Sequence, residues 1–173
     1  MAVQGPIVIT GASSGIGAAC AQYLDALGFT VWAGVRSTQD GEALTRLTSS
    51  RLRVLMLDVT DPASIEAARK TLAEATRDTG LAGLVNNAGI SVAGPLELLP
   101  LSEVRTQFEV NVIGVLAVTQ ALLPLLRLAR GRIVNISSIA GLAATPFLGA
   151  YCSSKFALEA MSDALRLELA PRG

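Results

Sequence analysis

The chain has 173 residues, is strongly apolar, and balances 14 basic against 14 acidic side chains, so one domain with a buried core is expected, without an electrostatic footprint for nucleic acid or an anionic membrane. It contains no histidine, which excludes Ser-His-Asp and Cys-His catalysis and His-ligated metals. Cys20 and Cys152 form no C-x-x-C pattern, so no metal site or disulfide framework is expected either, and proton chemistry falls to carboxylates, lysine, cysteine or the two tyrosines, Tyr23 and Tyr151.

No basic leader or apolar signal core precedes the first apolar run, Pro6 to Thr10, which predicts a soluble cytoplasmic protein. Similar runs follow at Thr30–Val35, Arg53–Leu57, Leu81–Asn86 and Arg132–Ser137. They are rich in Val, Ile and Leu with little polar alternation, as in strands buried on both faces of a parallel sheet. Between the first two lies a helical stripe of Ile16, Cys20, Tyr23, Leu24 and Leu27, closed by Gly28, with Tyr23 assigned to the core. Asp61-Pro62 reads as an N-cap followed by a proline at the first helical position. The helix it opens carries Ile65, Ala68 and Leu72 inside, with Glu66 and Lys70 one turn apart outside. A long helix is expected from Leu101 to Ala129, kinked near Pro124. Its charge-free stretch, Val110 to Leu126, is shorter than the roughly 20 apolar residues of a membrane span and is read as a core helix. A last helix runs from about Ala150 and stops at Pro171. Five βα units in succession predict a doubly wound parallel α/β sheet.

Directly after the first strand, Thr10 to Gly17 reads T-G-A-S-S-G-I-G and leads into a helix. Glycines at 11, 15 and 17 let a pyrophosphate approach bare backbone, and a helix N-terminus offers free N–H groups. An ordinary glycine-rich turn is the plain alternative, because the spacing is G-x-x-x-G-x-G rather than G-x-G-x-x-G. A P-loop is excluded, since no Gly-Lys-Ser/Thr follows. Tyr151 and Lys155 stand four apart at the start of the last helix and so share a face. A free phenol titrates near 10, and a neighbouring ammonium favours the phenolate. Of the fourteen basic residues only Lys70 and Lys155 are lysine, which draws attention to Lys155, because Arg and Lys are not interchangeable beside a tyrosine; the Y-x-x-x-K pair is common by chance, and a solvated helical lysine is the plain alternative.

With N-N-A-G at Asn86–Gly89, I-V-N-I-S-S at Ile133–Ser138, and Asn111 within F-E-V-N-V, these motifs stand in an order that resembles the short-chain dehydrogenase/reductase family along essentially the whole chain. The segments A-G-V-R, L-D-V-T-D and L-V-N-N-A-G resemble its hydroxysteroid and retinol dehydrogenase-like branch. The resemblance implies a Rossmann-like domain spanning residues 1–173. It also implies an oxidoreductase that interconverts an alcohol and a ketone or aldehyde, as a homo-oligomer (dimer or tetramer) without a nucleic-acid or membrane partner. By resemblance, Ser138 hydrogen-bonds the reacting oxygen, Tyr151 exchanges its proton, Lys155 favours the tyrosinate and holds the nicotinamide ribose, and Asn111 supports a water relay to Lys155. Cofactor contacts are implied for Gly11, Ser13, Ser14, Gly15, Ile16, Gly17, Arg36, Asp58, Asn87, Ala88 and Gly89, together with Tyr151 and Lys155. The plain readings are that Ser138 ends a strand and that Asn111 satisfies backbone within its helix. At the end of strand two the sequence has Val35-Arg36 and no carboxylate, which favours NADP(H), since a guanidinium can fork onto a 2′-phosphate. NAD(H) stays open because Ser14 supplies no base in the loop. Family members continue past the Tyr-Lys helix into further strands and a substrate-covering segment. This sequence ends Ala170-Pro171-Arg172-Gly173, so the sheet is expected to be incomplete at its C-terminal end, with strand five an apolar edge. A non-catalytic dinucleotide-binding or interaction module is the second reading. An epimerase or dehydratase fits less well, because such relatives carry a different glycine motif.

Overall fold

The computed structural model describes residues 5–170. Strands β1 (Ile7–Ile9), β2 (Val31–Val35), β3 (Leu52–Met56), β4 (Gly83–Asn86) and β5 (Arg132–Asn135) form one sheet in the order β3-β2-β1-β4-β5. Every pairing is parallel, with Ile7 against both Val31 and Gly83. This is the doubly wound α/β arrangement anticipated from the alternation of apolar runs and helical patterns.

Helices α1 (Gly15–Ala26) and α2 (Thr38–Thr45) cover one face, where Ala21 and Leu44 pack on Ile9, Val31 and Ala33. The other face carries α3 (Pro62–Ala75) and α5 (Val115–Ala129), whose Ile65, Leu72, Val118, Leu122 and Leu126 pack on Val8, Trp32 and Leu84. β2 and β4 are buried throughout their length, and β1 is buried at Val8 and Ile9. The edges β3 and β5 alternate, and Val134 of β5 is 48% exposed. The apolar edge expected of strand five is present, beside a groove of about 510 Å³ between β5 and α6 (Gly149–Leu169). Pro171, expected to stop α6, lies outside the described residues.

Three sequence expectations are corrected. Tyr23 is not core but 67% exposed, and Ile16 and Leu27 also face outward. The fully buried positions of α1 are Gly17, Ala21 and Asp25, because the helix seats on the sheet through small residues, with Cys20 and Leu24 packing partly buried beside them. The stretch Thr38–Thr45, given no element above, is a helix: Ser37 caps it by accepting from Asp40 N at 3.1 Å, and Gly41 admits Val54. The single long helix is composite. It comprises α4 (Leu101–Phe108), a π turn (Glu109–Gly114) and α5, which runs through Pro124. Among the described residues this is the one helical run long and apolar enough to cross a membrane, and its inner side lies in the sheet core.

Asp61 caps α3 as expected, accepting from Ala63 N at 2.9 Å with Pro62 in the first turn. Outside this helix Glu66 forks onto Arg69 at 2.7 Å, leaving Lys70 at 3.9 Å. Buried Asp25 ties the end of α1 to the loop before β3. It accepts from Ser49 N at 2.8 Å and Ser49 Oγ at 2.6 Å, with Arg51 alongside at 3.8 Å. Burial acts to raise its carboxyl pKa, but the Ser49 bonds and Arg51 outweigh it and hold the group below its ordinary value near 3.8. A depressed carboxyl stabilises the fold above its unfolded-state pKa, and that contribution is lost as pH falls through the folded value. Asp25→Ala should therefore cost about 1–3 kcal/mol at neutral pH by leaving the Ser49 donors unpaired. In urea unfolding the gap to wild type should narrow below about pH 4.

Candidate active site

The end of β1 is locked to the end of β4. Thr10 Oγ1 accepts from Asn87 N and Ala88 N, both at 3.0 Å, while Asn87 Nδ2 donates to Thr10 O at 3.0 Å and Gly11 O at 2.9 Å. Gly11 has φ +64°, and a Cβ there would meet Ala88 Cα at 2.8 Å. Gly17 lies beneath the loop, where a Cβ would collide with Gly11 O and Asn87 Nδ2. These glycines are thus required by contacts within the protein itself, apart from any ligand. α1 begins at Gly15 with no side-chain cap from Ser14 and no acidic residue in its first turn, so its N-terminal donors are presented outward for an anion.

Above this loop opens a cleft of about 310 Å³. Gly11, Ser13, Ser14 and Ile16 form its floor, Gly34 to Arg36 and Leu57 to Val59 one wall, and Asn87 to Ile90 with Val110 the other. It sits at the carboxyl ends of the strands where the order reverses between β1 and β4, the position at which open α/β sheets bind nucleotides. Of the sequence-predicted contacts, Gly11, Ser13, Ser14, Ile16, Arg36, Asp58, Asn87, Ala88 and Gly89 line it, while Gly15 and Gly17 shape the loop from outside. Asp58 accepts from Thr60 N at 2.9 Å and Thr60 Oγ1 at 2.7 Å. These bonds hold its carboxyl below the ordinary range against the effect of burial, and exposed Arg36 adds to the lowering. The glycine cradle, the uncapped helix end and a wall that carries Arg36 and Asp58 fit a dinucleotide.

The proton-transfer candidates gather past Gly89. Lys155 is 6% exposed, donates from Nζ to Ile136 O at 2.8 Å, and lies 5.8 Å from the Tyr151 ring centroid. A Cβ at Gly89 would be 3.9 Å from Lys155 Nζ and 3.4 Å from Asn111 Oδ1, so the end of the cleft meets the Tyr-Lys helix. Burial pushes the Lys155 ammonium below the ordinary lysine range, with Glu159 opposing. Half-buried Ser138 accepts from Ala140 N at 3.2 Å and caps a 3-10 turn (Ile139–Gly141). It lies three residues past the end of β5, so it caps this turn rather than ending the strand, and its hydroxyl proton remains available to a substrate oxygen.

Asn111 is buried in the π turn and fully engaged. Its Oδ1 accepts from Ile90 N at 2.9 Å, and its Nδ2 donates to Ile90 O at 2.8 Å and Ser154 Oγ at 3.0 Å. It thus reaches the neighbour of Lys155 rather than Lys155 itself. Sequence reasoning missed Ser154, Thr10 and Gln107. Gln107 stands one turn before Asn111 and accepts from Val92 N at 2.5 Å. That i, i+4 pair of carboxamides on one buried helix face was the available signal. Cys152 is buried packing.

A reversal-point cleft of this kind, in a parallel sheet flanked by helices on both faces, defines a Rossmann-like fold. Residues 6–173 match the family described as short chain dehydrogenase, and the chain belongs to that family. It is 46% identical over 168 residues to mouse (Mus musculus) retinol dehydrogenase 5, covering 96% of this chain and 52% of the relative. It is 48% identical over 164 residues to human (Homo sapiens) 17-beta-hydroxysteroid dehydrogenase type 6, covering 94% and 51%. Matches of this kind place it in the hydroxysteroid and retinol branch. An NADPH-bound carbonyl reductase from chicken fatty liver superposes with a TM-score of 0.89 at 32% identity, covering 97% of this chain and 75% of that one. The chain spans about half the length of these curated relatives.

Gly17→Ala is expected to break the loop, because the atoms its Cβ would strike are backbone and a bonded carboxamide. Overpacking of this kind costs about 1–3 kcal/mol. Thermal unfolding monitored by circular dichroism should show a clear fall in Tm, and calorimetry should show dinucleotide binding lost.

Proposed function

We propose that the chain is the cofactor-binding and proton-transfer part of an NADP(H)-dependent oxidoreductase that interconverts an alcohol and a ketone or aldehyde. The observation that carries this is the continuity of the 310 Å³ cleft with buried Lys155 through Gly89. A nicotinamide dinucleotide, when bound, supplies or accepts the hydride. The chain's own residues handle the rest. Ser138 donates a hydrogen bond to the reacting oxygen. Tyr151 takes the hydroxyl proton as an alcohol is oxidised, or returns it to the carbonyl oxygen in reduction. Lys155 places positive charge 5.8 Å from the Tyr151 ring centroid, where it stabilises negative charge on the phenol oxygen. Asn111 holds Ile90 and Ser154, fixing the cleft wall against the Tyr-Lys helix.

Arg36 supports NADP(H) over NAD(H): it is the cation on the cleft wall at the end of β2, and no acidic residue stands beside it on that strand. Asp58 across the wall supports a contact with the adenine. The printed names of the relatives, retinol and 17-beta-hydroxysteroid dehydrogenases, support an apolar alcohol as substrate. So do exposed Leu96, Ile139, Leu142 and Phe147 near the start of α6, where Gly94 N bonds Phe147 O at 2.7 Å. Exposed Ile113, Phe156 and Leu167 on the long helices support a homo-oligomer.

Calorimetry with NADPH and NADH should show NADPH bound at least about tenfold more tightly, a difference of about 1.4 kcal/mol. Arg36→Ala should erase that preference. Tyr151→Phe should keep dinucleotide binding and lose turnover by about a hundredfold or more. Binding without turnover in the unaltered chain would favour the non-catalytic module instead.

A further inference from the structure

Lys155 is an ammonium almost wholly withdrawn from water, and burying a charge is costly unless something compensates it. The groups facing it come from several elements. Its own helix supplies the Tyr151 ring, β5 leads to the Ile136 carbonyl, and the segment after β4 brings Gly89. All of these are neutral in the form described. The 3-10 turn Ile139–Gly141 carries no ionisable side chain, and Glu103, Arg105 and Glu109 on α4 and the π turn are exposed. The first charged residue beyond it on α6 is half-buried Glu159, one helical turn further along and not in direct ion-pair contact with the ammonium; it acts to favour the charged form through space.

Tyr151, Lys155 and Glu159 recur at i, i+4 and i+8 and so stack along one helix face. The local backbone makes room for the third member. A Cβ at Gly141 would meet Ser137 Oγ at 3.0 Å, and both Glu159 Cγ and Lys155 O at 3.1 Å. The stem of Glu159 can lie against the turn because that position is bare. Ser137 Oγ, converging on the same spot, is buried without a hydrogen-bond partner. On its other side half-buried Glu159 borders the groove between β5 and α6.

We propose that Glu159 is the counter-charge of Lys155, a positioning residue that stabilises the buried ammonium and holds it charged beside Tyr151. Its meaning for catalysis rests on the function proposed above; the electrostatic coupling itself does not. The sign follows from the opposition of two effects: burial favours the neutral amine, Glu159 favours the ammonium, and removing the carboxylate leaves burial unopposed. Because Glu159 also borders an open groove, solvent screens part of its field.

Lys70 and Lys155 are the two lysines of the chain, so a pH titration of protein labelled with 13Cε,15Nζ-lysine reads both by NMR, with exposed Lys70 as reference. Glu159→Gln should lower the Lys155 midpoint by about half a pH unit or more, roughly a threefold loss of proton affinity, and leave Lys70 unmoved. Glu159→Ala gives the same reading should the glutamine variant not fold. Asp163→Asn, on the exposed side of the next turn, should leave Lys155 in place. Where turnover is measurable, the high-pH limb of its profile should fall at correspondingly lower pH in Glu159→Gln. A Lys155 midpoint unchanged in the neutral Glu159 variants, or moved equally by Asp163→Asn, overturns the proposal. The titration needs neither cofactor nor substrate, so that failure is distinct from absent dinucleotide binding, which would overturn the functional reading alone.

Discussion

The hydroxyl of Thr10 carries the constraint on which the rest of the site depends. It stands buried where β1 gives way to the glycine loop and accepts two backbone N–H groups from the turn after β4, while Asn87 returns two hydrogen bonds from its side chain. Each such bond adds only about 0.5–1.5 kcal/mol net. Their joint effect is geometric. They fasten together the two strand ends between which the chain reverses its direction of winding, and a crevice must open there because the outgoing connections leave to opposite faces. Once Gly11 is pressed against Ala88 and Gly17 seated beneath the loop, the cleft has a floor, a wall and a helix end aimed into it.

The second half of the site is fastened to the first by carboxamides. Beyond Ala88 the chain leaves the sheet, and its backbone groups lose their ladder partners. Asn111 and Gln107, successive on one buried helix face, take over by bonding Ile90 and Val92. They do for this segment what a neighbouring strand would otherwise do. The π turn is part of that device: its wider winding changes the helix phase just where Asn111 must face inward and also reach Ser154 on α6. Cleft wall and Tyr-Lys helix are thereby held in one frame.

How much of this was legible in the sequence depended on whether the signal was local. The buried strands, the Asp61-Pro62 cap and the glycine loop are short-range patterns whose physics is contained in a few residues, and the structure places them where the pattern does. Tyr23 was misplaced because periodicity ranks a helix face by hydrophobicity, whereas α1 docks by small size, through Gly17 and Ala21. The helix Thr38–Thr45 went unseen because its Gly41 lowers helix propensity; only the close approach of Val54 explains that glycine. Thr10, Ser154 and Gln107 were invisible for a different reason. Each acts on a partner brought near by topology; for Gln107 the four-residue spacing to Asn111 marks a shared helix face, but it does not name Val92 as the partner. The roles proposed for Ser138 and Asn111 came from resemblance, and geometry adds to each a structural duty that resemblance did not mention.

Lysine usage brings these levels together. The chain meets nearly all its need for positive charge with arginine, and at Glu66 the bidentate partner is indeed Arg69 rather than Lys70. An arginine at 155 would bury a planar fork of five donors, while the pocket offers the Ile136 carbonyl as the acceptor described for Nζ. A compact ammonium leaves fewer donors unsatisfied there, and it can give up its proton, which a guanidinium cannot. The same burial that makes lysine the fitting residue also weakens its charge. Helix geometry therefore matters beyond the Tyr-Lys spacing: a third residue at the next repeat of the face can restore what burial removes, and in this chain that residue is a glutamate.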